Sequence, residues 1–219
     1  MSAATVRKLL AALLFAPMAL CAAVGGIALE HAPIDPRDLV SLQSGARTFV
    51  NYCMNCHGAQ YMRYNRLTDL GLTEAQIRDN LMFSADKVGE TMKVAMTVKD
   101  GKDWFGVPPP DLSVIARSRG ADWLYTYLRT FYRDDKTATG WNNKAFPNAA
   151  MPHVLWKVQA GSSAVQYDTT VRDLVNFLVY VGEPSAQSRK SIGIVVLFVL
   201  GVLFIFAYAM KKAFWKDVR

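Results

Sequence analysis

The chain reads as a mostly α-helical domain with long loops, followed by one C-terminal transmembrane helix. Three observations predict this class. Ser191 to Met210, "SIGIVVLFVLGVLFIFAYAM", is twenty residues without a charge, ~30 Å of helix at ~1.5 Å per residue, the thickness of a bilayer's hydrocarbon core. Upstream, apolar residues recur at helical spacing, and no stretch alternates long enough for a convincing strand. Between these periodic pieces lie polar, Gly- and Pro-rich tracts, and long loops inside a compact domain usually serve a ligand.

At the N-terminus, Arg7 and Lys8 precede an apolar run, Leu9 to Val24, broken only by Pro17, and small residues follow. That layout is a secretory signal peptide, and we expect a leader over 1–28. Leu20 before Cys21 is not small, which argues against a lipoprotein anchor. "HAPIDPRDLVSLQ" is an extended lead-in. Leu39, Leu42, Ala46, Phe49, Val50 and Cys53 then trace a helix that ends at a cysteine pair. Thr73 and Gln76 form a capping box for a short helix over Thr73 to Leu81. From Met82 the helical pattern dissolves, ending in "GVPPPDLS", whose three prolines force an extended, stiff segment. "DLSVIARSRGADWLYTYLRTFY" gives two helical pieces split at Gly120. "RDDKTATGWNNKAFPNAAMPHVLW" is a turn-rich loop. Val171, Leu174, Val175, Leu178 and Val181 mark a last soluble helix, capped by Asp168 or Thr169 and stopped by Gly182 and Pro184. Arg189, Lys190, Lys211 and Lys212 flank the apolar span, with Tyr208 and Trp215 as interface anchors. The expected organisation is a leader over 1–28, an exported domain over 29–188, an anchor over 189–212 and a tail over 213–219.

The net charge of +7 does not imply nucleic acid. Residues 1–28 and 189–219 hold eight Lys/Arg and one acid of the chain's 25 and 18, leaving seventeen of each sign for 29–188. The excess belongs to the leader and the membrane flanks. The basic tail "KKAFWKDVR" puts the C-terminus in the cytoplasm, and the leader sends the domain to the opposite side of a bacterial inner membrane.

Cys53, Cys56 and His57 form C-M-N-C-H. Zinc needs about four ligands, and beyond these only His31 and His153 are available as further His or Cys in the exported part. Thioredoxin-like exchange needs a βαβ context that the pattern lacks. C-x-x-C-H in an exported helical chain matches covalent haem c attachment instead. Each thiol adds to a haem vinyl, and the adjacent histidine lies under the iron as one axial ligand. For the other, Met151 lies 94 residues after His57, in a loop stiffened by Pro147 and Pro152. Met96 and His153 are its rivals, and a second histidine would set a lower potential than a thioether.

Taken in order, the leader, "NYCMNCH" with "YMRYNRL" behind it, "PPPDLSVIARSR", the Met-Pro loop and one terminal span resemble cytochrome c1, the anchored haem subunit of ubiquinol–cytochrome c reductase. The resemblance covers nearly the whole chain. It implies a cytochrome c-like helical haem domain with one haem c on Cys53 and Cys56, and iron bound by His57 and Met151. Pro110, within "PPPDLS", would belong to the pocket wall, and Arg119 and Trp123 would lie beside a propionate. It also implies cytochrome b, a Rieske iron–sulfur protein and a cytochrome c or oxidase as partners, a dimeric complex, and no catalysis by this chain alone. The chain lacks the long insertion and acidic runs of larger members; Asp134 and Asp135 are its only adjacent acids. No further cysteine pair clamps the Met-bearing loop. Rival roles are a tethered cytochrome c feeding an oxidase, a membrane-anchored haem sensor or zinc adaptor, and a thiol oxidoreductase.

Overall fold

The computed structural model describes residues 27–216. The leader lies almost wholly outside them, as do the last three residues of the tail.

The frame is a pair of helices, α1 (Leu39–Thr48) and α7 (Ala164–Gly182). Leu42 and Ala46 of α1, and Phe49 just beyond it, meet Val171, Leu174 and Phe177 of α7, all essentially without solvent exposure. The rings of Phe49 and Phe177 lie 5.6 Å apart. A glycine makes the approach possible: a Cβ on Gly45 would sit 2.0 Å from the Asp173 carbonyl oxygen. A buried polar knot pins the crossing, with Ser41 Oγ donating to Asp173 (2.7 Å) and Asn176 Nδ2 donating to the Asp35 carbonyl (2.7 Å). Both donors find acceptors, as buried polar groups generally do, although Asn176 Oδ1 has no partner among the described residues.

The remaining elements ring this pair. A π-helical turn, Phe49–Cys53, extends α1 into the cysteine motif. Strand β1 (Ala59–Arg63), a 3-10 stretch (Tyr64–Leu70) and α2 (Glu74–Asn80) follow, the last opened by the Thr73–Gln76 capping box expected from sequence. Strand β2 (Thr91–Met92) pairs antiparallel with β1. Then come α3 (Val98–Phe105), α4 (Ile115–Arg119) and α5 (Ala121–Arg129), the last two split at Gly120, whose φ of 90° suits glycine. Strands β3 (Phe131–Arg133) and β4 (Trp141–Asn143) form a hairpin, and α6 (Trp156–Ala160) leads into α7.

The mostly helical class holds, with three local corrections. Two short antiparallel pairs exist where no strand was expected: three of the strands have only two or three residues, and the five of β1 (buried, exposed, exposed, buried, exposed) do not alternate. Helix α3 lies in a stretch read as pattern-free; its own capping box, Thr97 with Asp100, starts it despite a Gly and three lysine or aspartate neighbours. Helix α7 begins earlier than Asp168 or Thr169. Ser163 caps it, accepting from Gln166 N while the Gln166 side chain returns to Ser163 N. Asp168 instead takes a two-pronged ion pair from Arg129 (2.7 and 2.9 Å).

Helix α8 (Ala186–Phe214) runs 29 residues, about 44 Å. Its most apolar eighteen residues have a mean hydropathy of 2.9, and none of that stretch is covered by the rest of the described chain. A fully exposed helix of that composition requires lipid around it.

Candidate functional site

The cysteine motif sits on the end of α1. Cys56 N and His57 N both donate to the Cys53 carbonyl (3.0 and 2.8 Å), so the chain makes one tight turn through C-M-N-C-H. Cys53 is buried, Cys56 and His57 half-buried. Burial pushes the Cys53 thiol up to about 12, with a smaller push from Cys56, and burial also raises Cys56. Thiol exchange needs a thiolate of lowered pKa, so this environment opposes an oxidoreductase role. Among the described residues no cluster of three or more His, Cys, Asp or Glu could hold a metal ion, which opposes zinc.

Three hydrogen bonds stitch "PPPDLS" onto the backbone just beyond His57, and a fourth braces it from within. Leu112 N donates to Gly58 O (2.8 Å), Gln60 N to Asp111 Oδ2 (2.9 Å), Tyr61 N to Ser113 Oγ (3.0 Å), and Ser113 N to Asp111 Oδ1 (2.9 Å). Behind the prolines lies α3, so close that a Cβ on Gly101 would come within 2.7 Å of Pro109 Cδ. This fixes the Pro110 carbonyl 2.7 Å from His57 Nδ1. A carbonyl can only accept, so Nδ1 carries the proton and Nε2 keeps its lone pair for a ligand. Burial lowers the His57 pKa, the Pro110 bond and Asp111 partly opposing it, so desolvation favours the neutral ring that a metal needs.

Two adjoining cavities, about 90 and 270 Å³, open beside the motif. Both are lined by Cys53, His57, Pro110 and Met151; Cys56 lines the smaller, Arg119 and Trp123 the larger. The structure thus brings all seven sequence-predicted residues to one place. Met96 and His153 line neither cavity. His153 is buried, stacks on Phe131 at 5.1 Å and bonds Gln159 through Nε2 (2.7 Å), which commits that nitrogen elsewhere. Met54, Met62, Met82 and Met92 are core residues.

A concave, mostly apolar space of this kind is the usual setting of a cofactor site. Its walls are mainly aliphatic and aromatic, with polar groups gathered toward one side. Trp123 Nε1 is buried without a partner among the described residues, and the Arg119 guanidinium lies 5.0 Å over the Trp123 ring. A buried N–H costs free energy until it finds an acceptor. A flat apolar macrocycle bearing carboxylates fits these walls and would satisfy that donor.

Sequence reasoning missed Tyr127 and Phe146, both in the larger cavity's wall. Tyr127 stacks on Trp123 (4.9 Å, 10° between planes) and its hydroxyl donates to Met151 Sδ at 3.6 Å. A signal existed for one of them: Tyr127 follows Trp123 by four residues on α5, so the two share one face of that helix.

The profile of the Cytochrome C1 family matches residues 30–103 and 102–218, almost the whole described chain. The chain belongs to the cytochrome c1 family. A cytochrome c1 from Allochromatium vinosum is 48% identical over 97% of this chain and all of its own length. One from Rhodospirillum rubrum is 28% identical over 83% of each chain. A protein of Nitrosomonas europaea named ammonia monooxygenase gamma subunit is 47% identical over 98% of this chain and 99% of its own. Membership in the cytochrome c1 family makes this a membrane-anchored haem c protein, an electron-transfer subunit of a bc1-type complex with cytochrome b as its implied partner.

Proposed function

We propose that this chain carries single electrons from a Rieske iron–sulfur protein to a cytochrome c, or to an oxidase, within a dimeric respiratory quinol–cytochrome c reductase. The observation that supports it most is the shared cavity. His57, its Nδ1 bonded to the Pro110 carbonyl, and the Met151 thioether line the same cavities, and the cysteine pair lies beside the histidine. Cys53 and Cys56 hold the haem by thioethers, and His57 and Met151 bind the iron. When bound, the haem supplies a one-electron ferric/ferrous couple. The protein's residues do the rest: Pro110 orients the imidazole, Met151 favours the reduced state relative to a second histidine, and Trp123 and Arg119 answer a propionate. Residues 1–28 are removed as a leader, 29–188 face the periplasm, 189–212 anchor the chain and 213–219 lie in the cytoplasm.

The test is to add quinol to membranes and follow this haem's reduction, with and without an inhibitor of the quinol-oxidation site. Inhibitor-sensitive reduction is expected. Reduction only by a soluble reduced cytochrome would favour a tethered oxidase donor. The Nitrosomonas relative's name offers a second reading, a subunit of an ammonia-oxidising assembly, favoured by the 47% identity. It predicts co-purification with such an assembly in place of cytochrome b.

A further inference from the structure

The Met151 sulfur has a hydrogen-bond donor that the proposed function does not use. Tyr127 lies on α5, and its hydroxyl points at Met151 Sδ, 3.6 Å away, within the range of an O–H···S bond. The hydroxyl has no other partner among the described residues. Its ring has little freedom to move. Trp123 stacks on one face at 4.9 Å, Phe131 packs edge-on at 5.0 Å, and Asn143 Nδ2 holds the Tyr127 carbonyl at 2.7 Å. The hydroxyl is therefore set by three elements: α5, the residue that opens β3, and β4.

A thioether sulfur has two lone pairs. If one is given to iron, the other remains free to accept a proton donor. Such a bond has two effects on the sulfur. It fixes the rotation of the Met151 side chain, so that the remaining lone pair keeps one direction. It also draws electron density from the sulfur, which weakens donation to the more electron-demanding ferric state more than to the ferrous one. Hydrogen bonds to ligand atoms are a recognised means by which proteins tune metal centres.

We propose that Tyr127 is a positioning residue for Met151, and that its hydroxyl raises the reduction potential of the centre by hydrogen-bonding the ligand sulfur. The proposal rests on Met151 being the iron's second axial ligand. In an α5 without this hydroxyl the sulfur would be held only by the packing of its loop.

The test is an optical redox titration of the full-length haem-loaded protein carrying Tyr127→Phe, with the near-infrared sulfur-to-iron charge-transfer band recorded alongside. Tyr127→Phe keeps the ring and removes one oxygen. The band should persist with an altered position, and the ferrous/ferric ratio at a fixed potential should fall about three- to tenfold, where each tenfold is ~59 mV for a one-electron couple. Tyr167→Phe is the control. It removes a buried hydroxyl that donates to the Leu128 carbonyl at 2.8 Å, remote in bonding from the sulfur. It should lower thermal stability and leave the potential in place. A potential unchanged in Tyr127→Phe, or one shifted equally in Tyr167→Phe, overturns the proposal. Met151→Leu separates the two levels. If it leaves band and potential untouched, the ligand reading fails and Tyr127 with it; if it abolishes the band while Tyr127→Phe is silent, only the role of Tyr127 fails.

Discussion

His57 and Met151 line the same cavities, yet the chain holds them by different means. On the histidine side the motif continues a helix and turns on backbone bonds, and three more hydrogen bonds fasten "PPPDLS" beside it. On the methionine side the chain between β4 and α6 has little regular structure. Asn143 Oδ1 accepts from Ala145 N (2.8 Å) and Phe146 N (3.1 Å), and Asn142 Oδ1 from Asn148 N (2.8 Å), but these bonds lie upstream of Met151 itself. Beyond them, Pro152, packing and the Tyr127 hydroxyl hold the sulfur. A ligand that must be in place when haem is attached is built on backbone. A ligand that completes the site is left to side chains, and that is the part in which potential can be adjusted without dismantling the fold.

The contrast breaks most sharply in two substitutions. Cys56→Ala should remove most covalently held haem, about tenfold or more in a haem-stained gel of exported protein, because one of the two thioethers is lost although the backbone turn to His57 remains. Met151→Leu should leave covalent haem at near wild-type level while lowering the potential by on the order of a hundred millivolts, part of the ~0.8 V that axial ligands span. Redox titration measures the second. Equal haem loss in both variants would erase the distinction between the two walls.

Asp111→Ala sharpens the comparison from the other direction. Its carboxylate accepts from Gln60 N and Ser113 N, so it fastens the strip that carries Pro110 to the strip that carries His57. The side chain is exposed, and we expect a loss of about 1 kcal/mol, read from the denaturant midpoint of the haem-loaded protein. Because Pro110 sets the imidazole, the potential should move in the same variant. A stability loss with no change of potential would mean that the prolines alone hold the carbonyl.

The parts legible in sequence follow the same division. The cysteine motif, the α1 period, the Thr73 box, the break at Gly120 and the apolar span are local signals, and the structure shows each helix they announce. Pro110, Arg119 and Trp123 came from family resemblance, since nothing in their spacing alone brings them to His57. The short strands were illegible because their pairing is a tertiary contact. The sequence pattern misses Ser163 because the apolar stripe it reads begins only at Val171, two turns inside α7, so the cap lies upstream of the pattern that announces the helix. Tyr127 was overlooked because a tyrosine four residues after a tryptophan on an amphipathic helix is ordinarily core.

The smallest expected effect lies in the hairpin that leads into the methionine loop. Asp134 accepts from Asn142 Nδ2 (2.9 Å) and Lys136 N (3.1 Å), and these bonds hold its carboxyl below the ordinary 3.8. A carboxyl depressed in the folded state binds its proton more readily when unfolded. Its contribution is therefore complete above the ordinary value and disappears as pH falls through the depressed one. Asn142 also holds Asn148 N through Oδ1, at a residue with φ of 63°, so protonating Asp134 loosens one end of the bridge to the methionine loop. Asp134 is only partly covered and solvent screens it, so the change in melting temperature between pH 5 and pH 3 should differ by only about a degree between wild type and Asp134→Ala. The Met151 charge-transfer band should weaken at higher pH in wild type than in a variant with the methionine loop otherwise tied down. Its survival at pH 3 with the hairpin open would show that the loop, like the histidine side, is held by more than the contacts that lead into it.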